Sequence, residues 1–106
     1  MTTSEVLRTA RAKIEKPENW TQGAWARDAD QHDMMPQMAG ACSFCAMGAV
    51  QFITGESEAF YVSMQALKRS LETAHVSVLA FNDTHTHAEV LALFDRAIEA
   101  EEKEGR

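Results

Sequence analysis

Apolar positions along the chain recur mostly in the register of helices. Thr2-x-x-Glu5 is a capping-box pattern ahead of a stripe made by Val6, Leu7, Ala10 and Ile14, which predicts a first helix. Lys16-Pro17 closes it, because the residue before a proline is pushed out of the helical region. From Phe60 onward, apolar residues follow at Met64, Leu67, Leu71, Ala74, Val78 and Phe81, at alternating intervals of four and three. That alternation predicts one continuous helical face, with room for a break near His75. Val76 to Phe81 alone would read as a strand on propensity, and the unbroken period decides for helix. Asn82-Asp83-Thr84-His85 reads as a turn. Thr86-x-x-Glu89 then repeats the capping-box spacing, and Val90, Leu91, Phe94 and Ile98 give a last helix its buried face. Gly105-Arg106 is expected to fray.

The stretch Gly40 to Val50, GACSFCAMGAV, contains both cysteines and no charge. Wound at about 100° per residue, Met38, Ala41, Cys45, Gly48, Ala49 and Phe52 all fall within about 60° of Cys45. This predicts a helix beginning before Cys45, with the thiol mid-stripe as a small hydrophobe and Thr54-Gly55 as the stop. Residues 18–36 carry less pattern. Trp20, Gly23, Ala24 and Trp25 suit a short helix or a packed turn, followed by a polar loop over residues 28–33 that Pro36 closes. The two tryptophans either cover a core edge or wall a ligand site. The expected fold is all-α, one compact domain of four to five helices over residues 1–106. Three heptads are too few for a free-standing coiled coil, and the long apolar face can build either a monomer core or a homodimer seam.

Composition narrows the function classes. A formal net charge of −6 argues against direct nucleic-acid binding, which needs clustered Lys and Arg. The one modest basic cluster is Arg8, Arg11, Lys13 and Lys16. Asp95, Glu99, Glu101, Glu102 and Glu104 read as a solvated helix face, or else as an acidic surface facing a basic partner. The Glu99–Lys103 pair at i, i+4 adds slight support. No apolar run approaches the roughly 18 residues of a membrane span. The first residues lack a secretory core, so a cytoplasmic setting with free thiols is expected. No cofactor is needed to explain folding.

Three kinds of chemistry compete. Cys42-x-x-Cys45 with His85-x-His87 supplies two sulfurs and two nitrogens, the inventory of tetrahedral zinc. Against it, a cysteine in the middle of an apolar helical stripe is poorly placed to be a thiolate. A cysteine-dependent hydrolase or transferase is a second reading, with Cys45 as nucleophile and His85 or His87 as base. It needs a lowered thiol pKa, which a helix beginning near Ala41 would favour and one beginning near Pro36 would not. The third reading is a binding site where the Trp20–Asp28 segment meets Asn82 and Asp83. Arg27 would anchor an anion, Asp28, Asn82 and Asp83 would orient a ligand or backbone, Trp20 and Trp25 would wall the site, and Cys45 would lie at its floor. The same polar residues at element ends can instead lock loop to helix.

Trp20-x-x-Gly23-x-x-Ala26-Arg27-Asp28, Ala41-x-x-Phe44-Cys45-Ala46-x-Gly48-Ala49-Val50, and Phe81-Asn82-Asp83 ahead of Glu89-Val90 together resemble a family of small bacterial and phage proteins of unknown function. Its pattern is an aromatic–Cys–Ala–x–Gly–Ala block followed by Trp-Asn-Asp, and Phe81 stands here in place of that Trp. The resemblance spans most of the chain. It implies that Cys45 is the family's cysteine and Cys42 incidental, which weakens the zinc reading. It also implies a phage or prophage setting, where accessory proteins often inhibit host machinery. The leading expectation is a binding or interaction domain without cofactor, its partner an unknown protein or small molecule. The alternatives are the thiol enzyme and an acidic inhibitor of a host nucleic-acid-binding factor.

Overall fold

The computed structural model describes residues 1–73 and 75–106. Among the described residues it contains five α-helices and a small three-stranded antiparallel sheet. Ala74, one position of the expected apolar face, lies outside the described residues.

Helix α1 spans Thr3–Lys13, with Thr2 as its cap. The Thr2 hydroxyl accepts from Glu5 N at 3.2 Å, and Glu5 Oε1 accepts from Thr2 N at 2.7 Å. Val6, Leu7, Ala10 and Ile14 are all buried, as their spacing predicts. Pro17 opens a short 3-10 turn, Pro17–Asn19. Strands β1 (Ala26–Arg27) and β2 (Asp33–Met34) then form a hairpin, and β3 (Ser43–Phe44) joins the other edge of β1 in the order β2-β1-β3. Ala26 pairs with Met34 on one side and with Phe44 on the other. The hairpin turn is tied by Asp28, whose Oδ1 accepts from Asp30 N and His32 N, both at 2.9 Å.

Helix α2 covers Ala46–Thr54. It begins at Ala46, not before Cys45 as the apolar stripe suggested. Pairing with β1 holds the preceding residues extended: Cys42 N donates to Arg27 O and Cys45 N to Trp25 O. Met38 and Ala41 therefore lie off the helix, and Met38 and Phe52 are exposed. Gly55 ends α2 at φ +66° and ψ −163°, an extended positive-φ conformation open essentially to glycine alone. Gly48 has a different reason to be glycine. A Cβ there would sit 1.9 Å from Trp25 O, so only a bare backbone lets α2 lie against the chain before β1.

The long periodic face belongs to two helices, α3 (Glu58–Arg69) and α4 (Val78–Thr84), not to one. Ser70 caps the first, and the Ser77 hydroxyl caps the second by accepting from Ala80 N. Both helices bury their apolar side in the same core, which is why the period runs through the break. Asn82 to Thr84 complete α4, and only His85 turns extended, so the expected turn begins three residues late. Helix α5 (His87–Lys103) has the predicted capping box, with the Thr86 hydroxyl on Glu89 N and Glu89 Oε1 on Thr86 N. Its end does not fray. Gly105 at φ +72° lets Arg106 N reach Glu101 O and Gly105 N reach Glu102 O, the paired bonds of a Schellman motif.

The core lies between α1, α2, α3 and α5, with α1 packed most closely on α5 and α2. The acidic run on α5 is divided. Asp95 and Glu102 pair with Arg11 and Arg8 of α1, and Glu99 pairs with Lys103. Glu101 is only 2% exposed and meets Arg69 and Arg106 at 3.4 and 3.0 Å, so it is not part of a solvated face. No helix among the described residues is long and apolar enough to cross a membrane.

Candidate functional site

The residues singled out by the sequence fall into two groups in space. Asn82, fully buried near the end of α4, is the hub of the first. Its Oδ1 accepts from Trp20 Nε1 at 2.8 Å and from Ala46 N at 3.0 Å. Both partners are obligate donors, which fixes the amide's orientation. Its Nδ2 donates to Thr21 O and to Asp83 Oδ1, each at 3.1 Å. The same Asp83 oxygen accepts from Gly23 N at 2.9 Å, and Gln22 Nε2 reaches the carbonyls of Asn82 and His85. Asn82 thus uses two lone pairs and two N–H groups, the full capacity of a side-chain amide, on the protein itself. The meeting of the Trp20 segment with Asn82-Asp83 is real, and its polar atoms are spent on each other.

Cys45 lies next to this hub as the cap of α2. Its Sγ accepts from Gly48 N at 3.2 Å, while Asn82 Oδ1 holds the adjoining Ala46 N. The side chain is fully buried. Burial pushes the thiol pKa up, and the charge of Asp83 adds to this. The backbone N–H groups of Gly48 and Met47 oppose the rise without cancelling it. The inward-facing thiol expected from the sequence is therefore present, held at a helix start instead of a helix middle. A helix N-terminus ordinarily favours thiolate, yet here desolvation prevails.

Neither imidazole serves this thiol. His85 stacks on Phe81, centroids 3.8 Å apart, with Nδ1 3.0 Å from Phe81 O and from Thr84 Oγ1. His87 donates through Nε2 to Ile14 O at 2.6 Å, with its ring 5.3 Å from that of Trp20. Cys42 is exposed. Among the described residues, no three of Cys42, Cys45, His85 and His87 bring ligand atoms within 4.8 Å of one another. Asp28, Asp30 and His32 do so at the hairpin turn, but the Asp28 Oδ1 is already committed to two backbone N–H groups. Those bonds, led by the one from His32 N, hold the Asp28 carboxyl below its ordinary range.

Arg27 and Asp28 turn toward the hairpin and not toward Asn82. The Arg27 guanidinium donates to Thr21 Oγ1, to the carbonyls of Gln22 and Gln31, and to Asp33 Oδ1 at 2.7 Å. The guanidinium that the sequence offered as an anchor for a ligand's anion is thus engaged, through Nη1, by a carboxylate of the chain itself.

Trp25 belongs to the second group. Its ring stacks on Phe60 at 6.3 Å, and Phe60 meets Tyr61 edge-on at 5.2 Å. On its other side Trp25 lines an open groove of about 440 Å³ with Ala24, Met34, Met35, Met38 and, at the border, Asp33. Met35 is 51% exposed and Met38 54%. Sequence reading placed Met38 on a buried stripe and gave Met34 and Met35 no role. The signal that could have found the groove is three methionines within five residues around Pro36.

No curated protein and no solved structure matches the chain. A family profile does match, over residues 1–100, and so takes in the Trp20 segment, Cys45, Asn82-Asp83 and the methionine groove together. The chain belongs to DUF6197, a family of unknown function.

Proposed function

We propose that this chain is a non-catalytic binding domain whose working surface is the methionine–tryptophan groove beside the β1–β2 hairpin. Its occupant is an apolar segment of a partner protein flanked by basic residues. The observation that carries the reading is the exposure of Met35 and Met38 around half-buried Trp25 and Met34, while the polar cluster around Asn82 is closed on itself. Methionine side chains are flexible and polarisable, and repack around apolar partners at low cost. Contiguous exposed apolar surface of this kind marks interaction sites. Charge supplies the rest of the occupant's description. Asp33 at the groove is paired with Arg27, but Asp28 and Asp30 on the adjoining turn keep the surroundings acidic, and the net charge is −6. A basic flank would be steered to such a surface and an acidic one repelled. The reading keeps the cytoplasmic setting and absorbs the acidic-inhibitor alternative as one kind of basic partner.

The thiol-enzyme reading has less support, because Cys45 is buried, its pKa is raised, and no imidazole addresses it. A model amphipathic peptide with Leu and Trp anchors between lysines, and the same peptide with glutamates for lysines, test the proposal by calorimetry. The basic peptide should bind at least about tenfold more tightly, a difference of about 1.4 kcal/mol. A Met35→Ser/Met38→Ser double variant should abolish the difference. Equal affinity for both peptides, or full binding by the double variant, would defeat the reading. Concentration-dependent dimerisation that the same variant removes would identify a second copy of the chain as the occupant.

A further inference from the structure

A separate cavity, unrelated to the groove, lies between the segment after α3, the end of α4 and the outer side of α5. It holds about 200 Å³, smaller than the roughly 300–1,000 Å³ of sites for drug-sized ligands, so it suits a small metabolite. Leu71, Val76, Phe81 and Ala92 give it apolar walls, and His85 and Arg96 stand at its rim. The His85 ring lies flat on Phe81, 15° from parallel, and extends that wall as an aromatic shelf.

Arg96 is the informative residue. Arg8, Arg11, Arg27, Arg69 and Arg106 each face a carboxylate of the chain. Arg96 does not, although the chain is acidic. Its Nε donates to Ser70 O at 3.3 Å, which leaves the terminal nitrogens uncommitted. Among the described residues its two terminal nitrogens have no partner. A guanidinium offering two parallel N–H groups beside a cavity with one apolar wall suits a carboxylate whose body is apolar. Glu72 and Glu89 border the same cavity, so a second negative charge on the ligand would be repelled.

We infer that this cavity binds a small aromatic or aliphatic monocarboxylate, with its carboxylate on the terminal nitrogens of Arg96 and its body against Phe81, Val76 and Leu71. The test is an NMR titration of the isotope-labelled full chain with phenylacetate, its neutral amide phenylacetamide, and the dicarboxylate phenylmalonate. Phenylacetate should shift the amides of Leu71, Thr73, His85 and Ala92 saturably, and the amide and the dicarboxylate should each bind at least about tenfold more weakly. Arg96→Gln should bring phenylacetate down to the affinity of the amide with the thermal midpoint unchanged, and Arg96→Lys should restore part of the loss. Equal binding of acid and amide, unchanged affinity in Arg96→Gln, or no saturable shift up to about 10 mM phenylacetate would overturn the assignment.

Discussion

The Asn82 hub and the methionine groove begin only a few residues apart, at Trp20 and Trp25, and are built on opposite principles. At the hub every strong donor and acceptor of the central amide has found a protein partner, in a buried place where an unpaired one would be costly. At the groove the side chains are apolar and adaptable, and half of the methionine surface faces solvent. A cluster of Trp, Asn, Asp and Cys looks like a binding site in a sequence. In this fold such a cluster is a clamp that ties the Trp20–Gly23 loop to α4 and to the start of α2. On the proposed reading, recognition falls to residues with unspent capacity.

Substitutions can break that contrast, beginning with the close approach of α2 to Trp25, between the two regions. Gly48→Ala forces a methyl into Trp25 O, and backbone must move; chemical denaturation should show a loss of about 3 kcal/mol or more. Asn82→Ala strands the Trp20 indole N–H and the Ala46 N–H, and should cost about 2–3 kcal/mol in the same measurement. If Asn82→Ala proves neutral, water has replaced the amide and the hub is not a closed unit.

Thr86→Ala, outside both clusters although beside the hub in the chain, should cost about 1 kcal/mol through loss of the α5 cap. Its capping partner Glu89 has a carboxyl held below its ordinary range by bonds from the Thr86 N–H and hydroxyl. A depressed folded pKa contributes stability that is complete above the unfolded value near about 4.3 and is lost as pH falls through the folded one. Denaturation curves of wild type and Glu89→Gln should therefore converge once the pH has fallen below the folded value. The groove sits at the small end of the stability scale. Met35→Ser and Met38→Ser should change stability by no more than about 0.5 kcal/mol each while removing peptide binding. A large stability loss there would make the groove part of the core and erase the distinction. Thiol labelling at neutral pH sharpens it further, since Cys42 should react at once and Cys45 only on unfolding.

The outer helices α1 and α5 were legible because capping boxes and apolar period agree. The sheet was not, because strands of two residues have no period to detect and take their shape from pairing with β1. The same pairing moved the start of α2 to Ala46, since a run of small apolar residues reads alike as helix or buried strand. The period left room for a break near His75, and the break between α3 and α4 falls there; its length was masked because both helices bury their apolar side in a common core. At the site, sequence brought Trp20, Asn82, Asp83 and Cys45 together correctly. It could not tell that their hydrogen bonds close on one another, because saturation is a property of angles and distances. The partnerless state of Arg96 was invisible for the same reason: it becomes visible only once every other arginine has been placed.

The positions of the two indoles give the chain a pair of built-in optical reporters. Trp20 is bound through its nitrogen to Asn82 and lies beside His87, so its emission should follow unfolding of the hub. Trp25 borders the groove and should respond to an occupant while the fold stays intact. Replacing either indole by phenylalanine would leave a single-colour instrument, one reading integrity and the other occupancy.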